Sequence, residues 1–283
     1  MQGLLVFYLT TINKIYFYPP KNPLLNYTIY TLSTSSEWVT FIHGAGGSSS
    51  IWHRQLRAFK AEYNILLIDL RGHGKSKIAY KDVPKKKYTF DLITDDIIEV
   101  IQHLKIKTTH FVGVSMGSIF VRNFAENYPK YTQSMILSGA IVYLNIRSQL
   151  LMFLGNVFKT IIPYMLLYKF FAFIIMPKEN HKESRTLFVR EATKLNQKEF
   201  IRWFRLTAKI NPLLRYYRKK DVKIPTLYVM GEEDYMFLPS TQKLAKKHEL
   251  SQIIVVPNSG HVVNIEQPIV FNTESIQFLK SLR

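Results

Sequence analysis

Residues 109–121 put a serine in a sharp turn between an apolar run and a helical pattern. The run THFVGV predicts a buried strand, and Ser115 follows it between Gly113 and Gly117. Flanking glycines would let the strand and the next helix pass close together, while the turn presents the serine hydroxyl to a cleft. The helix begins at once, so the Met116 N–H would lie at its positive end, where a negative oxygen is stabilised. This stretch predicts a nucleophilic serine, provided that the rest of the chain supplies a base.

Short apolar runs alternate with helical patterns before residue 140 and again after residue 220. Runs such as 64–68, apolar along almost their whole length, are typical of parallel strands buried on both faces. Strands that alternate with helices predict an α/β fold, with a mostly parallel sheet covered by helices on both faces. The predicted strands are 27–32, 38–42, 64–68, 109–114, 134–138, 226–230 and 253–256, and the predicted helices are about 50–61, 89–104, 240–248 and 268–282.

The alternation stops over residues 141–220, which have a helical pattern throughout. A connection of that length is uncommon in a compact domain, so the segment is predicted to be an inserted helical cap, or lid. Residues 1–140 and 221–283 would form the core. The runs 150–154 and 161–176 are dense in Leu, Ile, Phe, Tyr and Met. They predict either a hydrophobic substrate under the cap or simple packing of the cap onto the core, and both interpretations stay open.

The chain carries a formal net charge of +18, and most of the excess lies in the predicted cap. Residues 141–220 hold 16 Lys and Arg against 4 Asp and Glu. A basic surface can bind nucleic acid, anionic lipid or an acidic ligand. No recognised nucleic-acid-binding module accompanies the charge, so we expect no nucleic acid partner. The amphipathic stretch 178–220 could make weak contact with a membrane surface, and a merely solvated basic face is the alternative.

The first residues raise the question of targeting. The apolar run Gly3–Ile12 is ten residues long, too short to span a bilayer, and it lacks the basic start and the cleavage site of a signal peptide. We expect it to pack as an N-terminal strand or helix, with an interfacial anchor or signal-like segment as the alternative. The prediction is a cytoplasmic protein whose membrane association is at most peripheral. The oligomeric state is left open.

A base and an orienting acid for the serine occur near the carboxyl terminus. Serine is a weak nucleophile until a base takes its proton, and the base needs a third group to orient it. GEED follows one late strand and SGH follows the last, so the chain order is Ser115, Asp234, His261, each after a strand. Glu232 and Glu233 are rival carboxylates, and the position at the strand end favours Asp234. The previous predicted strand, 134–138, is followed by GAIV, which offers no carboxylate.

Several motifs occur together and in order: HGAGG after the third strand, then DLRGHGKS, GVSMG, GEED, and SGH before the last helix. With them the chain resembles the α/β-hydrolase superfamily over about residues 25–140 and 220–283, and within it the bacterial carboxylesterase-like members with a helical cap. The resemblance implies the α/β-hydrolase fold, with a sheet of about eight strands. It also implies that Ser115 is the nucleophile, His261 the general base and acid, and Asp234 its orienting carboxylate.

The same resemblance implies an oxyanion hole made by the backbone N–H groups of Ala45 and Met116. Two positions depart from the usual pattern. Close relatives usually have glycine in place of Ser118, and histidine is common in place of Val114. Neither change removes a catalytic group, but Ser118 adds bulk beside the turn.

The implied function is a serine hydrolase that cleaves an ester or related acyl bond of a hydrophobic small molecule through an acyl-enzyme intermediate. C–C bond hydrolases and perhydrolase-like haloperoxidases of the superfamily use the same residues and are alternatives, and a non-catalytic ligand receptor is a third. No cofactor or metal is predicted. The chain has no cysteine, its histidines lack the paired spacing of a zinc site, and GAGGSS lacks the lysine of a phosphate-binding loop.

Other polar or aromatic residues near the motifs receive structural interpretations. His43 is predicted to shape the oxyanion loop, and the charged turn 69–73 to be pinned by hydrogen bonds and ion pairing. Trp52 is expected in the core. Asp95 and Asp96 are expected on a polar helix face without a role, and His248 on a solvated one.

Overall fold

A computed structural model of the chain describes residues 15–16, 24–79, 88–207 and 209–283. Its strands are β1 (Ile15–Tyr16), β2 (Tyr27–Tyr30), β3 (Trp38–Ile42), β4 (Asn64–Ile68), β5 (Thr109–Val114), β6 (Thr132–Ser138), β7 (Thr226–Gly231) and β8 (Ser251–Val256). They form one eight-stranded sheet in the order β1-β2-β4-β3-β5-β6-β7-β8. The β1–β2 and β2–β4 pairings are antiparallel and the others parallel, which confirms the predicted mostly parallel sheet. The predicted element at residues 3–12 lies outside the described residues.

Helices cover both faces of this sheet and one end of it. They are α1 (His53–Phe59), α2 (Ser76–Ala79), α3 (Phe90–His103), α4 (Met116–Asn127), α5 (Ile146–Phe158), α6 (Tyr164–Ile175), α7 (Lys182–Ala192), α8 (Gln197–Thr207), α9 (Ile210–Lys219), α10 (Leu238–Ala245), α11 (Val263–Glu266) and α12 (Pro268–Lys280). Within the described ranges, every helix is too short or too polar to cross a lipid bilayer.

Alternate side chains of β4 pack into two separate cores. Ile65 and Leu67 join the core under α1 and α12, where Trp52 is fully buried as predicted. Leu66 and Ile68 join the core under α3 and α4. Successive side chains of a strand point to opposite faces, and here neither face meets water. This explains why the β4 run is almost entirely apolar.

The chain between β6 and β7 passes through helices α5 to α9 before it returns to the neighbouring strand. These helices have an apolar cluster of their own, which includes Tyr168, Phe200 and Phe204. A separate cluster of this kind is expected of a subdomain that packs partly on itself. We propose that this segment is the inserted cap, with the bounds 141–220 that the sequence predicts.

Candidate active site

Ser115, Asp234 and His261 meet at one edge of the sheet. They follow β5, β7 and β8, which run parallel, so all three lie at the carboxyl ends of strands. Asp234 Oδ2 lies 2.8 Å from His261 Nδ1, and His261 Nε2 lies 2.9 Å from Ser115 Oγ. Because the carboxylate accepts the Nδ1 proton, Nε2 keeps a lone pair that can accept the serine proton. The arrangement can therefore activate the Ser115 hydroxyl.

The turn at Ser115 is strained. Its φ of 54° and ψ of −123° are unusual for a residue with a Cβ and cost of the order of 1–3 kcal/mol. The Ser115 carbonyl oxygen accepts hydrogen bonds from the Ser118 N–H at 3.0 Å and from Ser118 Oγ at 2.6 Å. The same hydroxyl accepts the Ile141 N–H at 3.3 Å. Ser118, which departs from the family pattern, thus ties the strained turn to the loop that follows β6.

The two glycines of the turn allow backbone contacts that a side chain would prevent. A Cβ at Gly117 would overlap the carbonyl oxygens of Ile42 and His43. A Cβ at Gly113 would lie 2.7 Å from the Gly117 oxygen. The predicted close passage of strand and helix is confirmed, and it brings the end of β3 next to the serine.

The carboxylates of GEED have different surroundings. Asp234 is 1% exposed and faces the histidine, whereas Glu232 is exposed. Glu233 accepts hydrogen bonds from Lys178 and Asn180 of the cap, and these lower its pKa to about 2. Of the three, Asp234 is the one that orients the histidine.

Two backbone donors lie beside the serine. Ala45 and Met116 line the same cavity as Ser115, and among the described residues neither N–H donates a hydrogen bond. Met116 is the first residue of α4, so its N–H has no partner within the helix. Gly44 lets the two loops approach closely, since a Cβ added at Gly44 would lie 3.2 Å from the Ser115 Cβ. Two free N–H groups next to a nucleophile can stabilise an oxyanion.

Two buried histidines hold the loop that carries Ala45. The Leu70 N–H donates to His43 Nε2 at 2.9 Å, so His43 Nδ1 carries the proton and donates to the Gly44 oxygen at 2.7 Å. The Gly46 N–H donates to His73 Nε2 at 2.9 Å. Burial lowers the pKa of both rings, and the neutral rings can act as acceptors. The predicted structural role of His43 is confirmed.

The charged turn 69–73 is pinned by hydrogen bonds and ion pairing, as predicted. The predictions that Asp96 has no role and that His248 is solvated are wrong. Arg71 donates to both carboxylate oxygens of Asp96, at 2.7 and 2.5 Å, and both side chains are buried. Asp96 is therefore a partner of the turn, because a buried cation requires a counter-charge. His248 is buried as well. It lies in a turn after the end of α10, and its Nδ1 is 3.5 Å from the Asp221 carboxylate.

The cap covers the serine and leaves a cavity of about 200 Å³. Besides Ser115 and His261, its wall is mostly apolar. The cap contributes Leu151, Met152, Tyr168, Phe171, Ile175, Phe188, Phe200, Trp203 and Phe204. Several of these residues also pack the cap, so the two interpretations of the apolar runs are compatible. No group of three or more His, Cys, Asp or Glu in the described ranges is arranged to hold a metal ion.

Glu191 is a buried carboxylate in this wall that the sequence did not reveal. It accepts hydrogen bonds from Ser48 Oγ at 2.6 Å and Lys194 Nζ at 2.5 Å. Burial by itself would raise its pKa, but these hydrogen bonds outweigh burial and leave the pKa below its usual value. The mostly apolar wall of the cavity therefore includes one anionic side chain. In the sequence Glu191 is one charge among many on an amphipathic helix, so no signal distinguishes it.

Glu266 is a second residue that the sequence did not reveal. Its carboxylate accepts hydrogen bonds from the Gly260 N–H and Ser259 Oγ, just before His261. It also accepts Ser184 Oγ from the cap. Glu266 thus positions the histidine loop and joins it to α7. Its only sequence signal is an acidic residue shortly after SGH.

Comparisons with known proteins agree with this geometry. The family model described as alpha/beta hydrolase fold matches residues 37–163. Epoxide hydrolase 3 of Mus musculus is 22% identical over 262 residues, which are 86% of this chain and 70% of that protein. The pimeloyl-[acyl-carrier protein] methyl ester esterase of Wigglesworthia glossinidia brevipalpis is 26% identical over 259 residues, 85% of this chain and 92% of that one.

The fold is shared with solved structures as well. The enol-lactonase from Burkholderia xenovorans superposes with a TM-score of 0.76 at 20% identity, over 90% of this chain and 96% of that one. The family model covers the strained turn and both oxyanion loops, and the structural match extends the likeness to the strands that carry the acid and the base. Residues 37–163 are thus similar to the alpha/beta hydrolase family, and the fold of the chain is the α/β-hydrolase fold.

Proposed function

We propose that this chain is a serine hydrolase that cleaves an ester or a related acyl bond of a hydrophobic small molecule. The observation that carries the proposal is the continuous hydrogen-bonded series from Asp234 through His261 to Ser115, with distances of 2.8 and 2.9 Å. A serine hydroxyl at neutral pH needs a base with a lone pair directed at it, and His261 Nε2 meets that requirement. The free N–H groups of Ala45 and Met116 supply the second requirement, a site for the oxyanion.

The reaction follows from these positions. His261 takes the Ser115 proton as Oγ bonds to the substrate carbonyl carbon, and the Ala45 and Met116 N–H groups stabilise the tetrahedral oxyanion. His261 returns the proton to the departing oxygen, and the acyl group stays on Ser115. Water then attacks the acyl-enzyme while His261 takes its proton, and that proton returns to Ser115 as the acid leaves. Asp234 stabilises the imidazolium at both stages.

The cavity supports an apolar, uncharged acyl group. Its aromatic and aliphatic wall favours a hydrocarbon chain or ring. The buried Glu191 carboxylate would repel a carboxylate on the acyl group of the substrate. Two of the similar proteins, the methyl ester esterase and the enol-lactonase, are named for ester bonds, which is consistent with this substrate class.

A fluorophosphonate probe tests the proposal. We expect the probe to modify Ser115, as located by mass spectrometry, and to inactivate the protein. Ser115→Ala should abolish labelling, while Ser281→Ala, which changes an exposed serine just after the last helix, should leave it unchanged. With p-nitrophenyl esters of two to ten carbons, KM should fall as the acyl chain lengthens, because the chain enters the apolar cavity.

Two outcomes would contradict the proposal. If the folded protein is neither labelled nor able to hydrolyse any ester of the series, the chain is a ligand receptor rather than a hydrolase. If Ser115 is labelled but the esters remain intact, the reactive serine serves C–C bond hydrolysis or perhydrolysis, which use the same three residues.

A further inference from the structure

The cap has a strongly apolar outer surface. Along α5, four side chains at intervals of four, three and four residues form one stripe, and their exposed fractions run from 44% to 84%. These residues are Ile146, Leu150, Phe153 and Val157. Isolated exposed apolar residues are common on proteins, but a stripe of four along one helix is not scattered exposure.

The neighbouring helix repeats the pattern. Leu166, Phe170 and Phe173 of α6 are spaced by four and three residues and are between 47% and 58% exposed. The two helices are in contact, since Gly155 of α5 lies against the Phe171 ring of α6. Ile161, in the connection between them, is 76% exposed. We call this set of eight residues the outer face of the cap.

Folding of the cap does not require the outer face. Both helices already bury an inner side, through Leu151 and Gly155 in α5 and Leu167 and Ala172 in α6. The inner side also lines the cavity above Ser115. Exposing eight further apolar side chains to water costs free energy, about 25 cal/mol for each Å² of apolar surface that stays in contact with water. Such a surface is typical of one that a partner covers.

The charges around the outer face indicate which partner. Residues 141–178 contain no Asp or Glu and four cations, Arg147, Lys159, Lys169 and Lys178. A basic groove lies at the start of α5, where Tyr143 and Asn145 line it. The groove also contains Arg215, Arg218, Lys219, Lys243 and Lys247, and no acidic residue. An apolar surface with basic residues at its margins complements an anionic bilayer, in which hydrocarbon lies beneath negative head groups.

We propose that the outer face of the cap lies in the interface of an anionic lipid bilayer, with α5 and α6 in the membrane plane. The two helices have 13 and 12 residues, so each is shorter than the approximately 20 residues needed to cross hydrocarbon. A second copy of the chain is a poorer occupant, because a symmetric dimer would oppose two identical basic faces.

The basic stretch 178–220 does not offer an equivalent surface. Its apolar residues Leu195, Phe200, Phe204 and Leu206 are buried and face inward. The membrane contact therefore involves α5 and α6, and the basic groove supplies charge at the edge. The inference does not rest on the proposed hydrolase activity, since it concerns the opposite side of the same helices.

Vesicle cosedimentation tests the proposal, with the full chain carrying Ser115→Ala so that lipid hydrolysis cannot alter the vesicles. We expect binding to vesicles of phosphatidylglycerol and phosphatidylcholine, and much weaker binding to pure phosphatidylcholine. Ile146→Ser/Phe153→Ser and Phe170→Ser/Phe173→Ser should each lower the partition coefficient by about tenfold or more. Ile269→Ser/Leu32→Ser removes two exposed apolar residues outside the cap and should change nothing.

A second pair of variants tests the charge. Arg147→Gln/Lys159→Gln/Lys169→Gln should lower binding by about tenfold or more, and the salt dependence should become shallower. Lys107→Gln/Lys130→Gln/Lys246→Gln removes the same net charge from exposed positions outside the cap and should have a smaller effect on binding. Circular dichroism melts of all variants establish that each is folded.

Three results would overturn the proposal. The first is no binding to anionic vesicles at low salt. The second is binding that the Ile, Phe and cation variants leave unchanged, which would assign attachment to another part of the chain, such as residues 3–12. The third is a dimer in light scattering that the Phe153 or Phe170 variants dissociate, which would identify a second copy as the occupant.

Discussion

The core and the cap use the same residue type in opposite ways. Phe111 of β5 is fully buried in the core and packs against Phe124, with ring centroids 4.6 Å apart. Phe153 of the cap helix α5 is 63% exposed. In the core, two helical layers enclose a sheet, so the apolar side chains of its central strands are buried on both faces. In the cap, one layer of helices covers the cavity with its inner side and leaves its outer side to solvent or to another molecule.

Carboxylates join the two regions. Glu199 of the cap accepts the Tyr88 hydroxyl of the core at 2.9 Å, and Glu191 accepts Ser48. In the other direction, Glu233 of the core accepts His181 Nε2 of the cap at 2.7 Å. Apolar contacts join the two regions as well, since Trp203 of the cap packs against Phe120 of the core within the same buried cluster. The inner side of the cap is therefore packed as part of the protein interior, and the contrast with the core lies in its outer side.

The largest expected effect tests whether the chemistry belongs to the core. Asp234→Asn should lower kcat/KM for a p-nitrophenyl ester by about 10⁴-fold, because the amide no longer selects the histidine tautomer that accepts the serine proton. The matched change Glu232→Gln, two residues away and exposed, should leave kcat/KM within about twofold. Equal losses of kcat/KM in the two variants would show that the conformation of the loop, and not the Asp234 carboxylate, is needed for activity.

The second prediction compares the two phenylalanines directly. Phe111→Ala should lower the free energy of unfolding by about 3–5 kcal/mol, since it leaves a cavity in the core. Phe153→Ala should change it by less than about 0.5 kcal/mol. Urea titrations at neutral pH measure both values. A large loss for Phe153→Ala would mean that the outer face stabilises the isolated chain.

The third prediction concerns a buried histidine of the core. Burial lowers the pKa of His110 to about 4, because the enclosed ring is kept from water and this outweighs the opposing effect of Glu37. The fold therefore favours the neutral ring. Its stabilising effect is complete above the ordinary pKa of 6.5 and is lost as the pH falls from there through 4. The expected loss is about 3 kcal/mol.

Urea unfolding of wild type and His110→Gln at pH 7 and pH 4 measures that loss. The difference between the two proteins should shrink or reverse at pH 4, where the wild-type ring gains a proton on unfolding. His53→Gln changes an exposed histidine and should keep the wild-type pH dependence. If the free energy of unfolding of His110→Gln falls with pH as steeply as that of wild type, groups other than His110 cause the acid sensitivity.

The smallest effect tests the selectivity of the cap. Glu191→Gln should raise kcat/KM for an ester with a free carboxylate on its acyl chain, relative to a neutral ester, by about tenfold or 1.4 kcal/mol. Glu183→Gln alters a cap carboxylate that is 64% exposed and does not line the cavity, so it should leave the ratio unchanged. If Glu191→Gln changes both substrates equally, Glu191 acts by holding Ser48 rather than by its charge.

Much of this protein could be derived from the order of its residues. The alternation of strand-length runs and helical patterns predicted the parallel sheet, because a strand buried on both faces must be apolar along its length. The turn GVSMG and the motifs after the late strands predicted which side chains converge, because parallel strands end at one edge. Ser115, Asp234 and His261 needed no knowledge of distant packing beyond that rule.

Other features depended on which surfaces meet. Asp96 and His248 read as solvated from their helical positions, yet both are buried by elements far away in sequence. Glu191 and Glu266 look like any acidic residue of an amphipathic stretch until Ser48 and the histidine loop approach them. Helical periodicity also cannot say which side of α5 or α6 faces the protein when both sides are apolar. Local sequence determines turns and strand ends, whereas the environment of a side chain on a helix is decided by the tertiary partner that packs against it.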